Sequence, residues 1–209
     1  MHHNKSVRFS LAATALALST GPAFAHHLMG GRTPASFAEG LLSGLGHPII
    51  GLDHFAAVVA VGCIAAAHRA APVLAIGFVM AMMAGVAVHL QGVTVPAAEI
   101  LVALSVIGLG VIMLRDRTMP AGAALSLFVI VGLLHGYVLG ESIFGAEPTP
   151  RYAYLLGLAI IQSAVVLVAM WVARKIAQSR RQLATLRLVG AGIAGIGLAV
   201  LAQQLIPAA

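Results

Sequence analysis

Charge is what this chain has least of. Only 9% of its 209 residues are Asp, Glu, Lys or Arg, against about 25% in a soluble domain. With 60% hydrophobic residues and a mean hydropathy of +1.01, the chain cannot clothe itself in water-compatible surface. That excludes a soluble globular protein and predicts one embedded in a membrane. Aromatic residues are also scarce, at 5%, whereas glycine is abundant, at 23 residues. Small residues let transmembrane helices approach closely, so the composition suits a tight helical bundle. The short alternating segments of a β-barrel are missing. The single cysteine, Cys63, lies inside an apolar run, which excludes an intrachain disulfide and a cysteine metal cluster. No P-loop is present to bind nucleotide, and no H-E-x-x-H pattern to mark a zinc hydrolase. The formal net charge of +6 sits in short loops, where cations set topology rather than mark a nucleic-acid partner.

The chain opens like a targeting signal. Lys5 and Arg8 precede a short apolar core, and Ala23-Phe24-Ala25 has the small-residue pattern of a cleavage site. Residues 1–25 are therefore expected to be a cleavable signal peptide, and residues 26–209 one transmembrane bundle. Six later segments are apolar and near the ~20 residues a helix needs to span a bilayer. They run near Ile49–Ala67, Val73–Gly92, Ala97–Leu114, Ala121–Gly140, Tyr152–Ala173 and Leu188–Ile206. With the mature N-terminus outside, the inner loops hold Arg69, Arg115, Arg117, Arg174, Lys175, Arg180, Arg181 and Arg187, and the outer segments only Arg32 and Arg151. This positive-inside bias predicts a multi-pass protein of the bacterial inner membrane, in contact with lipid, with both mature termini in the periplasm. The Gly-rich stretch before the first span, residues 29–46, reads as a short interfacial segment. The glycines of "GAGIAGIG" near the end read as helix packing, with a dimer face as the other reading.

The ionisable residues then fall unevenly. His47, Asp53 and His54 lie at the outer start of the first span, within "HPIIGLDH". His89 lies near the outer end of the second, Glu99 at the outer start of the third, and Glu141 and Glu147 in the outer loop after the fourth. His135 lies in the fourth span, roughly 21 Å above its inner end at 1.5 Å per residue. Such groups are costly inside a membrane and usually face a cavity or pathway. Histidine with carboxylate and no thiolate suits a borderline divalent cation such as Ni²⁺, Co²⁺ or Zn²⁺. His47 and His54 are about 10 Å apart along a continuous helix, so either they are successive stations or the helix breaks at Gly51. Pro48 suits a first helical turn. Asp53 can bind metal or orient a histidine through its second ring nitrogen. His89 reads as an interfacial histidine or a ligand, Glu99 as a complement to the helix dipole or a ligand, and Glu147 as a solvated loop residue or a ligand. His26 and His27 would follow the cleavage site and chelate through amine and imidazole, or form a tail. Gln162 and Ser163 offer weaker polar contacts lower down.

At these residues the sequence resembles the HupE/UreJ family of nickel and cobalt permeases. Its His-x5-Asp-His motif reads here as His47, then Pro48 to Leu52, then Asp53-His54. Its second motif, Phe-His-Gly-x-Ala/Val-His-Gly-x-Glu, corresponds to Leu134 through Ser142. His135 matches the first histidine, Leu139 replaces the second, and Ser142 occupies the glutamate position with Glu141 one residue early. The resemblance implies an all-α polytopic bundle and a permease, not an enzyme. It carries Ni²⁺ or Co²⁺ inward as cargo, with no tightly bound cofactor. The metal ligands expected are His47, Asp53, His54, His135 and Glu141, assisted by His26, His27, His89 and Glu147. The alternative is an accessory protein that binds metal and delivers it to a partner such as a metalloenzyme-maturation factor. Self-association into a homo-oligomer is compatible with either.

Overall fold

The computed structural model describes residues 32–115, 118–177 and 180–206. The proposed signal peptide, His26, His27, Asp116 and Arg117 lie outside the described residues. Among the described residues, seven α-helices follow one another: α1 Phe37–Ile50, α2 Leu52–Ala65, α3 Ala71–Leu90, α4 Ala98–Leu114, α5 Ala121–Leu139, α6 Pro148–Ile176 and α7 Arg180–Leu205. A 3₁₀ turn, Gly140–Ile143, extends α5. The fold is all-α.

Local chemistry sets the boundaries. Ser36 caps α1 by accepting from the Glu39 amide at 3.2 Å, while the Glu39 carboxylate accepts from the Ala35 amide at 2.7 Å. This is a variant of the Ser-x-x-Glu capping box, with the carboxylate taking the amide one residue before the cap. Pro72 and Pro148 stand in the first turns of α3 and α6, where a missing N–H costs nothing. Gly92 and Gly145 supply left-handed turns at φ +76° and +78°.

Two expectations are corrected at the start of the bundle. The residues read as an interfacial segment form α1, and this helix lies lengthwise on α6. A Cβ on Gly40 would strike the backbone of Pro150, one on Gly44 that of Tyr154 and Leu158, and one on Gly157 that of Leu41 and Leu45. Numbers rise together on both sides, so α1 and α6 run in the same direction. Glycine, which disfavours an isolated helix, here permits backbone contact. Pro48 accordingly sits in the last turn of α1 rather than in a first turn. The first span does not begin at Ile49. Gly51, in an extended conformation (φ −71°, ψ 99°), separates α1 from α2 with a bend of 77°.

The remaining pairs are zipped the same way. Gly132 and Gly136 of α5 lie against the backbone of Phe78 and Met82 in α3, and Gly140 against His89, so α3 and α5 are parallel. Gly110 of α4 meets Gly190 and Ala194 of α7, and Gly197 meets Ala103 and Ile107, which makes that pair antiparallel. α2 is the hub. It packs against all six other helices, and nine of its 14 residues are buried.

The outward faces are apolar: Ile76, Met80, Leu104, Ile130, Val168, Trp171 and Leu198 are all exposed. Among the described residues four helices are long and apolar enough to cross a membrane, five if α1 and α2 count as one broken span, while α4 is shorter at 17 residues. A belt of this kind in water would be an aggregation surface; against lipid it is the expected exterior.

Candidate metal-binding site

The break at Gly51 places the polar residues of the first motif in the interior. His47 occupies the last turn of α1 and Asp53 and His54 the first turn of α2. A Cβ on Gly51 would lie 3.0 Å from the His54 ring and 3.3 Å from the Asp53 carboxylate, so glycine is what lets both side chains fold back over the joint. One Asp53 oxygen accepts from the His54 amide at 2.8 Å. This ties the acid to one of the donors that a helix start leaves without an intrahelical acceptor.

His54 reaches across to α5. Its Nδ1 stands 2.8 Å from Nδ1 of His135, with the rings 5.0 Å apart and edge-on. His54 is 4% exposed and His135 fully buried. On its other side, His135 Nε2 lies 2.9 Å from Ser105 Oγ in the middle of α4, and that hydroxyl donates to the Val102 carbonyl at 2.7 Å. A hydroxyl has one hydrogen. With that hydrogen on Val102, Ser105 accepts from His135 Nε2–H. For neutral rings, His135 Nδ1 then carries a lone pair, and His54 Nδ1–H donates to it. Ser105 thus fixes His135 in the tautomer that presents a lone pair to His54, the orienting role that hydrogen-bond partners play behind metal-bound histidine.

The spacing is close to what an ion needs. Nitrogens binding one cation at about 2.0–2.1 Å stand roughly 3.0–3.4 Å apart, depending on geometry. The two Nδ1 atoms at 2.8 Å would separate by a few tenths of an ångström to admit a cation, with the proton of His54 shifted from Nδ1 to Nε2. Among the described residues no three His, Cys, Asp or Glu side chains stand close enough to hold a metal together. Ligands beyond the two imidazoles would come from rearrangement, from backbone or from water.

The expected residues therefore divide. His54 and His135 are brought together, with His47 and Asp53 beside them at the break. His89 and Glu141 line a separate pocket of about 390 Å³ at the end of the bundle where α3 finishes and α4 begins, with Glu99, Tyr137 and Gln204. There the His89 ring packs edge-on against Tyr137 at 4.7 Å and Phe144 at 5.5 Å, and its Nδ1 is buried without a hydrogen-bond partner. Tyr137 also donates to the Val93 carbonyl at 2.8 Å and accepts from the Val95 amide at 2.9 Å, holding the loop that leads into α4. Glu147 is exposed in front of α6 and enters neither group. The replaced motif positions face inward: Leu139 is fully buried, and Ser142 and Tyr154 both donate to its carbonyl, at 2.9 and 2.8 Å.

Two features were not read from the sequence. Ser105 looks like any serine in an apolar helix, and only the fold places it behind His135. At the opposite end of the bundle, Cys63, His68, Met113, Met119, Arg115 and Arg187 surround a pocket of about 200 Å³, although the inner half showed no polar cluster along the chain.

Comparison with known proteins agrees with the motifs. Residues 14–200 match the model of the HupE / UreJ protein family. Over 136 residues the chain is 34% identical to Protein HupE of Rhizobium leguminosarum bv. viciae, covering 64% of this chain and 69% of that protein. No solved structure matches. With a family match over most of its length, two buried histidines at the motif positions and apolar helices on every side, the chain belongs to the HupE/UreJ family, whose members handle nickel and cobalt and are not enzymes.

Proposed function

We propose that this protein is an inner-membrane permease that admits a divalent transition-metal cation, Ni²⁺ or Co²⁺, from the periplasm. The observation that carries the proposal is the buried His54–His135 contact between α2 and α5, at 2.8 Å, formed by residues of both family motifs. In this reading α1 and α2 together make one crossing. α4, about 26 Å long at 1.5 Å per residue, makes another through a core of about 30 Å. With α3, α5, α6 and α7 the crossings number six, and both ends of the mature bundle lie outside. The parallel pairs α1/α6 and α3/α5 and the antiparallel pair α4/α7 fit that alternation.

His26, His27 and Glu147 assist recruitment. His89, Glu99 and Glu141 form the outer vestibule, and His47, Asp53, His54 and His135 strip the ion of water. No nucleotide site is needed. An inside-negative potential favours entry of a dication by about 4.6 kcal/mol per 100 mV, twice the single-charge value.

The absence of a ready-made three-residue chelate among the described residues favours, as a second reading, an accessory protein that passes metal to a partner. Radioactive nickel and cobalt uptake into proteoliposomes separates the two. The permease reading expects accumulation by the wild type and at least a tenfold slower initial rate for His54→Ala. Metal binding without flux by the wild type supports the accessory role, and equal rates for wild type and variant remove His54 from the route.

A further inference from the structure

Gln162 is fully buried, and neither its amide nitrogen nor its amide oxygen has a hydrogen-bond partner. An unsatisfied buried amide is costly, so its place in the fold calls for an explanation.

Gln162 belongs to the inward stripe of α6, where Tyr154, Leu158, Gln162 and Val166 follow at intervals of four and are all buried. Residues three to four apart share a helix face. On that face Tyr154 and Leu158 receive Gly44 of α1, while Val166, Ala169 and Met170 receive Gly62 of α2. Gln162 is the residue between these two docking points, which places it level with the junction of α1 and α2 at Gly51. A broken helix leaves carbonyls at the end of its first half without intrahelical donors. In a membrane such backbone is tolerated where it lines a cavity or an ion path, and the C-terminal ends of half-helices can coordinate cations.

Its depth follows from one hydrogen bond. Tyr154 Oη reaches the Leu139 carbonyl. His135 lies one turn inward of Leu139, about 6 Å, and Gln162 two turns inward of Tyr154, about 12 Å. Gln162 therefore sits roughly one turn deeper than the histidine pair.

We propose that Gln162, with the carbonyl groups ending α1 opposite it, is a second and weaker station for the transported cation, one step inward of His54 and His135. This rests on the permease reading. Neutral oxygen donors suit the step because a conducting site must bind loosely enough for the ion to leave.

The test pairs equilibrium Ni²⁺ binding in detergent with Ni²⁺ flux into proteoliposomes under an imposed inside-negative potential. Gln162→Leu is expected to bind Ni²⁺ at the histidine pair within about threefold of wild type while its flux falls about tenfold. Gln162→Glu, which keeps an oxygen at the station and adds charge, is expected to lower the half-saturating Ni²⁺ concentration severalfold and slow the maximal flux. Flux by Gln162→Leu within twofold of wild type overturns the station. Where Gln162→Leu does not fold, unchanged half-saturation and maximal flux in Gln162→Glu overturn it instead. Binding without flux by the wild type itself refutes the permease reading on which the station depends, and is separable from failure of the station because the wild type alone decides it.

Discussion

A single hydroxyl does much to define the candidate site. Ser105 stands between the Val102 carbonyl and His135 Nε2, and with its hydrogen on Val102 it turns the His135 lone pair toward His54. Ser105→Ala removes that orientation without touching either ligand. Loss of such a supporting partner lowers metal affinity by about 10–100-fold, and titration calorimetry with Ni²⁺ on the purified variant is expected to read a decrease of that size. Unchanged affinity would mean that the tautomer is set elsewhere. His54 and His135 were legible because imidazoles in apolar helices are rare and costly. Ser105 was not, because a serine bonding back to its own helix is the ordinary case, and only a neighbour from another helix distinguishes it. Leu139 shows the reverse: the motif exposed the missing histidine, while the structure explains how the chain accommodates leucine, buried beneath Tyr154 and the 3₁₀ turn.

Among the elements, the sequence placed the long helices well and the broken one poorly. α3, α4 and α5 begin and end within two residues of the hydropathy boundaries, because a continuous apolar run leaves little choice. α6 and α7 reach further, to Ile176 and from Arg180, since charged residues at a helix end can extend past the apolar core. α1 was hidden by its own glycines. Gly40 and Gly44 look like breakers until α6 lies against them, and the Ser36–Glu39 cap was passed over. The break at Gly51 was one of two openings left by the His47–His54 spacing, and geometry chose it. Gly51→Ala tests what the joint does. Its φ suits alanine, but the added methyl would meet the His54 ring at 3.0 Å and Asp53 at 3.3 Å. The expected outcome is a severalfold loss of Ni²⁺ affinity with a melting temperature within about 3 °C of wild type, since under about 1 kcal/mol is at stake. A large fall in melting temperature with intact affinity would make Gly51 a folding residue instead.

Taken as a whole, the molecule has pockets at opposite ends of the bundle, one lined by His89, Glu99 and Glu141 and another by His68, Arg115 and Arg187 among apolar residues. The arginine-bearing end is the one that the loop charges predict to be cytoplasmic, Arg115 and Arg187 being among those charges. The lone cysteine makes that orientation measurable. Cys63 lines the arginine-bearing pocket and is half-buried, so a small anionic methanethiosulfonate reagent is expected to modify it in inside-out vesicles and not in intact spheroplasts. Modification from the periplasmic side would invert the proposed topology and, with it, the proposed direction of entry.

The two halves of the kinked first crossing are clipped to one and the same partner: α1 through Gly40 and Gly44, α2 through Gly62. α6 therefore behaves as a splint that sets the angle at which the break heals. The separation of the two imidazoles, though neither belongs to α6, inherits that angle. A change of size at a small side chain such as Ala169, two turns from the histidines along the bundle, then alters the spacing of the two rings while both rings stay the same.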